Sequence, residues 1–140
     1  MDPAQALADL TEISSQIEAA VLFDENAEIV ASTLPEEQRA RALVRAAADL
    51  LAGAGRFRSD AVEVTQLEVA THDGSVFVVR DGPHCIAATT TPDPTVGLVF
   101  YDLKSCLRAA AAEEAKPEAA ASGPAPPTKR RRKKEPGAET

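Results

Sequence analysis

Three short runs of the chain are apolar without alternation: Ala19-Ala20-Val21-Leu22-Phe23, Val76-Phe77-Val78-Val79 and Cys85-Ile86-Ala87-Ala88. A strand with one face in water alternates apolar and polar residues. A strand covered on both faces does not. Strands read as doubly covered need a layer packed on each side of their sheet. The rest of the sequence offers helices for both layers.

The first helix opens at Asp2-Pro3, which read as an N-cap and a first helical residue. Leu7, Leu10, Ile13 and Ile17 recur at helical spacing, which predicts about four turns. After the run at 19–23, Asp24-Glu25-Asn26-Ala27 is turn-prone, and Glu28–Thr33 reads as a second strand, making a hairpin. Pro35 is expected to open a second helix, with Glu36 and Glu37 at its positive end and the Gly53-Ala54-Gly55 stretch as its stop. Leu43, Ala46, Ala47, Leu50 and Leu51 give it an apolar stripe.

From Ala61 to Thr91 the pattern is β. Val62 and Val64 alternate with polar residues, and Leu67 and Val69 continue on the opposite parity, which predicts a bulge near Thr65 or Gln66. Asp73-Gly74 and Asp81-Gly82 signal two hairpin turns. Pro92–Thr95 ends the β region. A last helix follows, with Val96, Val99, Leu103, Leu107 and Ala110 as its buried stripe and Gly97 allowing close approach to the sheet. It is expected to fade near Glu114–Lys116, before Pro117. The order is α-β-β-α-β-β-β-α, an α+β (α/β) fold with a five-stranded antiparallel sheet and helices on both faces.

Residues 1–116 form the expected domain. Residues 117–140 carry five prolines and no aliphatic side chain larger than Ala, so they cannot bury enough surface to offset ordering entropy and are expected to be a disordered tail. Charge divides along the same line. The first 116 residues hold nineteen acidic and nine basic side chains, net −10, whereas the tail is net +3. An acidic body argues against a nucleic-acid-binding core. The cluster Lys129-Arg130-Arg131-Arg132-Lys133-Lys134 is the candidate contact for a polyanion, either nucleic acid or an anionic surface. No apolar run is long enough to span a bilayer. The N-terminus lacks a signal-peptide pattern, so a cytoplasmic location is expected.

No constellation for catalysis stands out. Cys85 and Cys106 read as small buried hydrophobes; no CxxC pair exists. His72 and His84 fall at a turn and a strand start, and His84 beside Cys85 is a poor nucleophile–base pair because adjacent strand residues point to opposite faces. Asp24 and Asp73 fit turn chemistry better than metal ligation. Gly53-Ala54-Gly55 lacks the Lys-Ser/Thr of a phosphate loop, so the chain is not expected to bind GTP.

The element order and several local patterns resemble the Roadblock family, which includes a dynein light chain and bacterial regulators of Ras-like GTPases. The resemblance covers residues 5 to about 114. It rests on the opening helix with Ile13 and Ile17, on Ala20-Val21-Leu22-Phe23-Asp24 leading to Ile29-Val30-Ala31-Ser32, and on Gly97-Leu98-Val99 at the last helix. Asn26-Ala27 departs from the Asp-Gly usual in relatives. The resemblance implies a three-layer sandwich related to longin and profilin-like domains. It implies no cofactor and no catalytic residues, a Ras-like small GTPase as partner, and a homodimer made by antiparallel pairing of the third strand with the second helix beside its mate. The residues agree, since the third strand would be a sheet edge, and an unpaired edge is a hazard or a docking site. Val62, Val64 and Gln66 are placed in the pairing region, with Arg39, Leu43, Ala46, Ala47 and Leu50 near the helix contact. The competing expectation is a nucleic-acid-associated dimer that uses its basic tail.

Overall fold

The computed structural model describes residues 1–57 and 64–122, with side chains described through residue 112. Its elements are α1 (Pro3–Ile13), β1 (Ile17–Asp24), β2 (Ile29–Ser32), α2 (Glu37–Gly55), β3 (Gln66–Thr71), β4 (Gly74–Asp81), β5 (His84–Thr90) and α3 (Val96–Ser122). The five strands form one sheet in the order β2-β1-β5-β4-β3, with every neighbouring pair antiparallel.

The three apolar runs occupy the three inner strands. On one face Ala20, Leu22, Phe77, Val79, Ile86 and Ala88 pack under α1 and α3. On the other, Val21, Phe23, Val78, Cys85 and Ala87 pack under α2. Phe77, Ile86 and Leu103 are fully buried, and each contributes about 1.5–3 kcal/mol of apolar burial. The Phe77 and Phe100 rings meet edge-on at 4.9 Å, tying α3 to the sheet.

Several boundaries differ from the sequence-based expectation. α1 stops at Ile13, three turns rather than four, because Ser14 turns extended while its N–H still bonds the Leu10 carbonyl. Ile17 then belongs to β1 and pairs with Thr90, whereas Ile13 is 73% exposed. Pro35 lies before α2, whose N-cap is Glu36. The buried stripe of α2 is Ala40, Val44, Ala47 and Leu51, one step around the helix from most of the expected one. β3 and β4 pair without a bulge from Gln66 to Thr71. The apparent change of phase arises because Val64 precedes the strand and reaches the same core as Leu67 from outside it.

On α3, Val96 is exposed and Cys106 joins the buried stripe with Val99, Leu103, Leu107 and Ala110. Gly97 faces open space, so it mediates no close approach. The helix runs past Pro117 to Ser122. The alanines on either side of Pro117 favour helix strongly, and this opposes the lost backbone bond and the ring clash that the proline introduces.

Among the connections with left-handed or otherwise positive-φ backbone, two differ from the sequence-based expectation. The β3–β4 turn centres on His72-Asp73 rather than Asp73-Gly74. Gly74 starts β4 at φ +150°, where any Cβ would collide with the Thr90 carbonyl oxygen. In the β1–β2 turn, Asp24 Oδ1 accepts hydrogen bonds from the Asn26 and Glu28 N–H groups at 2.9 and 3.0 Å. The left-handed residue there is Ala27 at φ 64°, not Asn26. A Cβ in that conformation costs roughly 1–2 kcal/mol, while glycine's extra freedom in the unfolded chain costs about 0.4–1 kcal/mol. Ala27→Gly is therefore expected to stabilise the fold by up to about 1 kcal/mol, read as a higher urea midpoint. A lower midpoint would contradict this account of the turn.

Candidate dimer and partner interface

β3 is an edge of the sheet, and its composition does little to guard it. Within Gln66-Leu67-Glu68-Val69-Ala70-Thr71 the single charge is Glu68, which accepts a hydrogen bond from the Ser75 hydroxyl at 3.1 Å. The opposite edge, β2, is four residues long with an irregular register beside Leu22 and Phe23. Short and bulged edges resist pairing with another chain, whereas a regular six-residue edge invites it.

The position of α2 widens the opening. It packs over β1, β2 and β5, on one side of its face of the sheet. Towards β3, the side chains of Leu43, Val64, Leu67 and Val76 are only partly buried against the same core. Together they are the strip of apolar positions left half-exposed between the helix and the open edge. Helical spacing extends the strip outward: Arg39, Leu43, Ala46 and Leu50 lie at i, i+4, i+7 and i+11, beside the buried row Ala40, Val44, Ala47 and Leu51.

The residues expected from sequence thus fall into three groups. Arg39 and Ala46 are exposed and Leu43 and Leu50 half-buried on the outward strip, with Val64 half-buried and Gln66 exposed at the edge. Ala47 is fully buried and faces the sheet, where its small side chain sits in the core under α2. Val62 and the basic cluster Lys129, Arg130, Arg131, Arg132, Lys133 and Lys134 lie outside the described residues. Leu67 and Val76 complete the strip and were not singled out from sequence. Both lie on the α2 face of the sheet, beyond the strands that α2 packs over.

The candidate reactive groups do not converge. Cys85 packs in the core under α2 and Cys106 in the core under α1 and α3, with the sheet between them. His72 is exposed and His84 half-buried. Asp24 is occupied with its own turn. Among the described residues, no three His, Cys, Asp or Glu side chains are grouped to hold a metal ion, and no helix is long and apolar enough to cross a membrane.

Cys106 donates its thiol to the Ala6 carbonyl at 3.4 Å. Burial, with the nearby Asp9 carboxylate adding to it, pushes this thiol up from 9.0 to about 11. Its neutral form is therefore favoured by folding. That contribution is complete below pH 9.0, the unfolded value, and is lost as pH rises toward about 11. Unfolding free energy, measured by urea titration across this window, should fall more steeply for the native sequence than for Cys106→Ala. Equal slopes would contradict it.

No family model matches the sequence. No curated protein matches it either. Solved structures do match. A Roadblock/LC7 domain from Streptomyces avermitilis superposes with a TM-score of 0.68 at 16% identity, over 84% of this chain and 98% of that one. MglB from Myxococcus xanthus gives 0.67 at 15% identity, covering 81% of this chain and 88% of the other. The gliding protein MglB from Thermus thermophilus gives 0.63 at 17% identity, over 80% and 92%. With its helix–sheet–helix layering, strand order and near-complete coverage of these domains, the chain has the Roadblock/LC7 fold.

Proposed function

We propose that the protein is a non-catalytic homodimeric scaffold that binds a Ras-like small GTPase and modulates its GTP hydrolysis in the cytoplasm. The observation that carries this reading is the open β3 edge continuous with the outward strip of α2. Two copies related by a twofold axis would pair their β3 strands antiparallel and set the two α2 helices side by side. Arg39, Leu43, Ala46 and Leu50 would lie at the helix contact, with Val64 and Gln66, and Val62 from sequence, along the ribbon. The ten-stranded sheet so made would present a continuous surface for a partner. The GTPase enters through the resemblance to the bacterial Roadblock regulators of Ras-like GTPases, whose fold the chain shares. Nothing in the described residues favours the nucleic-acid reading, whose candidate contacts lie in the tail.

A single variant tests both halves. Leu43 is half-buried, so Leu43→Arg lets its charge reach water while placing it at the proposed twofold contact. The native chain should scatter light at twice its 14.7 kDa mass at tens of micromolar, and the variant as a monomer. With a cognate Ras-like GTPase, the native protein should form a complex and change the hydrolysis rate. The variant should lose at least about tenfold in affinity, which is about 1.4 kcal/mol. A monomeric native chain would refute the dimer. A dimer without complex or rate change would refute the GTPase assignment alone.

A further inference from the structure

On the opposite face of the molecule, α1 and α3 run antiparallel and leave a groove of about 340 Å³ between their outer surfaces. Its floor is Leu10 and Cys106. Its rim carries Ile13, 73% exposed, and Tyr101, 64% exposed. Leu98, 49% exposed, precedes Tyr101 by three residues on α3 and extends the apolar surface. Two half-buried carboxylates, Asp9 and Asp102, line the same groove, and Glu12 stands exposed one turn beyond Asp9. No cation among the described residues pairs with them; Asp9 accepts only from the Gln5 side chain at 2.9 Å. Large apolar side chains left in water beside unpaired carboxylates call for an occupant that is cationic yet able to cover apolar surface.

The chain contains such a segment. Arginine lays an apolar stem along hydrophobic surface, stacks its guanidinium on aromatic faces and pairs with carboxylates. Arg130-Arg131-Arg132 sit within six consecutive cations, after Pro124, Pro126 and Pro127, which suit an extended backbone against an aromatic ring. The reach is sufficient. From Asp102 to Ser122 the helix rises about 30 Å at 1.5 Å per residue. A chain advances at most about 3.3–3.6 Å per residue when extended and about 3.1 Å through prolines, so the backbone at Arg130 to Arg132 can return roughly 25–36 Å from Ser122, and the long arginine side chains add to that. We propose that the basic segment 129–134 of the same chain occupies the α1–α3 groove, with its arginines over Tyr101 and Ile13 and against Asp9 and Asp102. This inference is independent of the proposed dimer, which would use the other face of the sheet.

Tyr101 is the one tyrosine of the sequence, which has no tryptophan, so its emission reports on the groove directly. Acrylamide quenching of the full chain is compared with that of a chain carrying Arg130→Glu, Arg131→Glu and Arg132→Glu, and with Asp9→Asn/Asp102→Asn. At low salt, native Tyr101 should be quenched about half as efficiently as in either variant. The gap should close at about 0.5 M salt, where charge pairing at the surface is screened. Equal quenching of native and charge-reversed chains at low salt would overturn the proposal. So would protection that grows with protein concentration and survives the charge reversal, which would assign the groove to a second copy.

Discussion

The burial of β1, β5 and β4 on both faces is the constraint from which the remaining architecture follows. An inner strand with no polar face cannot tolerate water on either side, so a helical layer is needed above and below. α1 and α3 supply one layer as a pair, and Phe77 and Ile86 of the sheet are sealed beneath them together with Leu103 of α3. The other layer is a single helix, and one helix does not span five strands. α2 therefore covers one side of its face, and the shortfall appears beside β4 and β3, where Val76, Leu67 and Val64 are left half-buried.

That shortfall gives the fold a direction for partnership. A surface left apolar on one flank, ending at a regular strand edge with one charge, is a candidate docking surface. In the proposed dimer, a second copy would complete it at low cost, since the same edge and the same helix would meet their equivalents and no new shape is required. In this account the function is carried by surfaces rather than by a reactive centre. The two cysteines are separated by the sheet, and the Asp24 carboxylate is engaged in its own turn.

The element order and the doubly covered strands were readable from sequence because they rest on short-range patterns: an absence of alternation, a proline start, a glycine turn. Where the reading slipped, two patterns overlapped. Ile17 continues the helical spacing of Leu10 and Ile13 by coincidence, and the pairing of Ile17 with Thr90, far along the chain, decides for the strand. On α2 the rows Ala40-Val44-Ala47-Leu51 and Leu43-Ala46-Leu50 are adjacent and both apolar, so spacing alone does not say which one faces the sheet. Ile13 and Tyr101 were invisible as surface features, because an apolar residue on an amphipathic helix reads as core until its neighbours are placed. The left-handed site at Ala27 was likewise hidden behind the more permissive Asn26.

Amide hydrogen exchange along β3 reaches the central claim most directly. Arg80 N–H bonds the Thr65 carbonyl at 2.8 Å, and the alternation of an antiparallel ladder then turns the N–H groups of Gln66, Glu68 and Ala70 outward, away from β4. If two copies pair through this edge, these three amides become protected, and their protection rises with protein concentration. Exchange of all three at unprotected rates, at concentrations where the chain is folded and abundant, would show that the edge stands open and that the partnership proposed for it does not form.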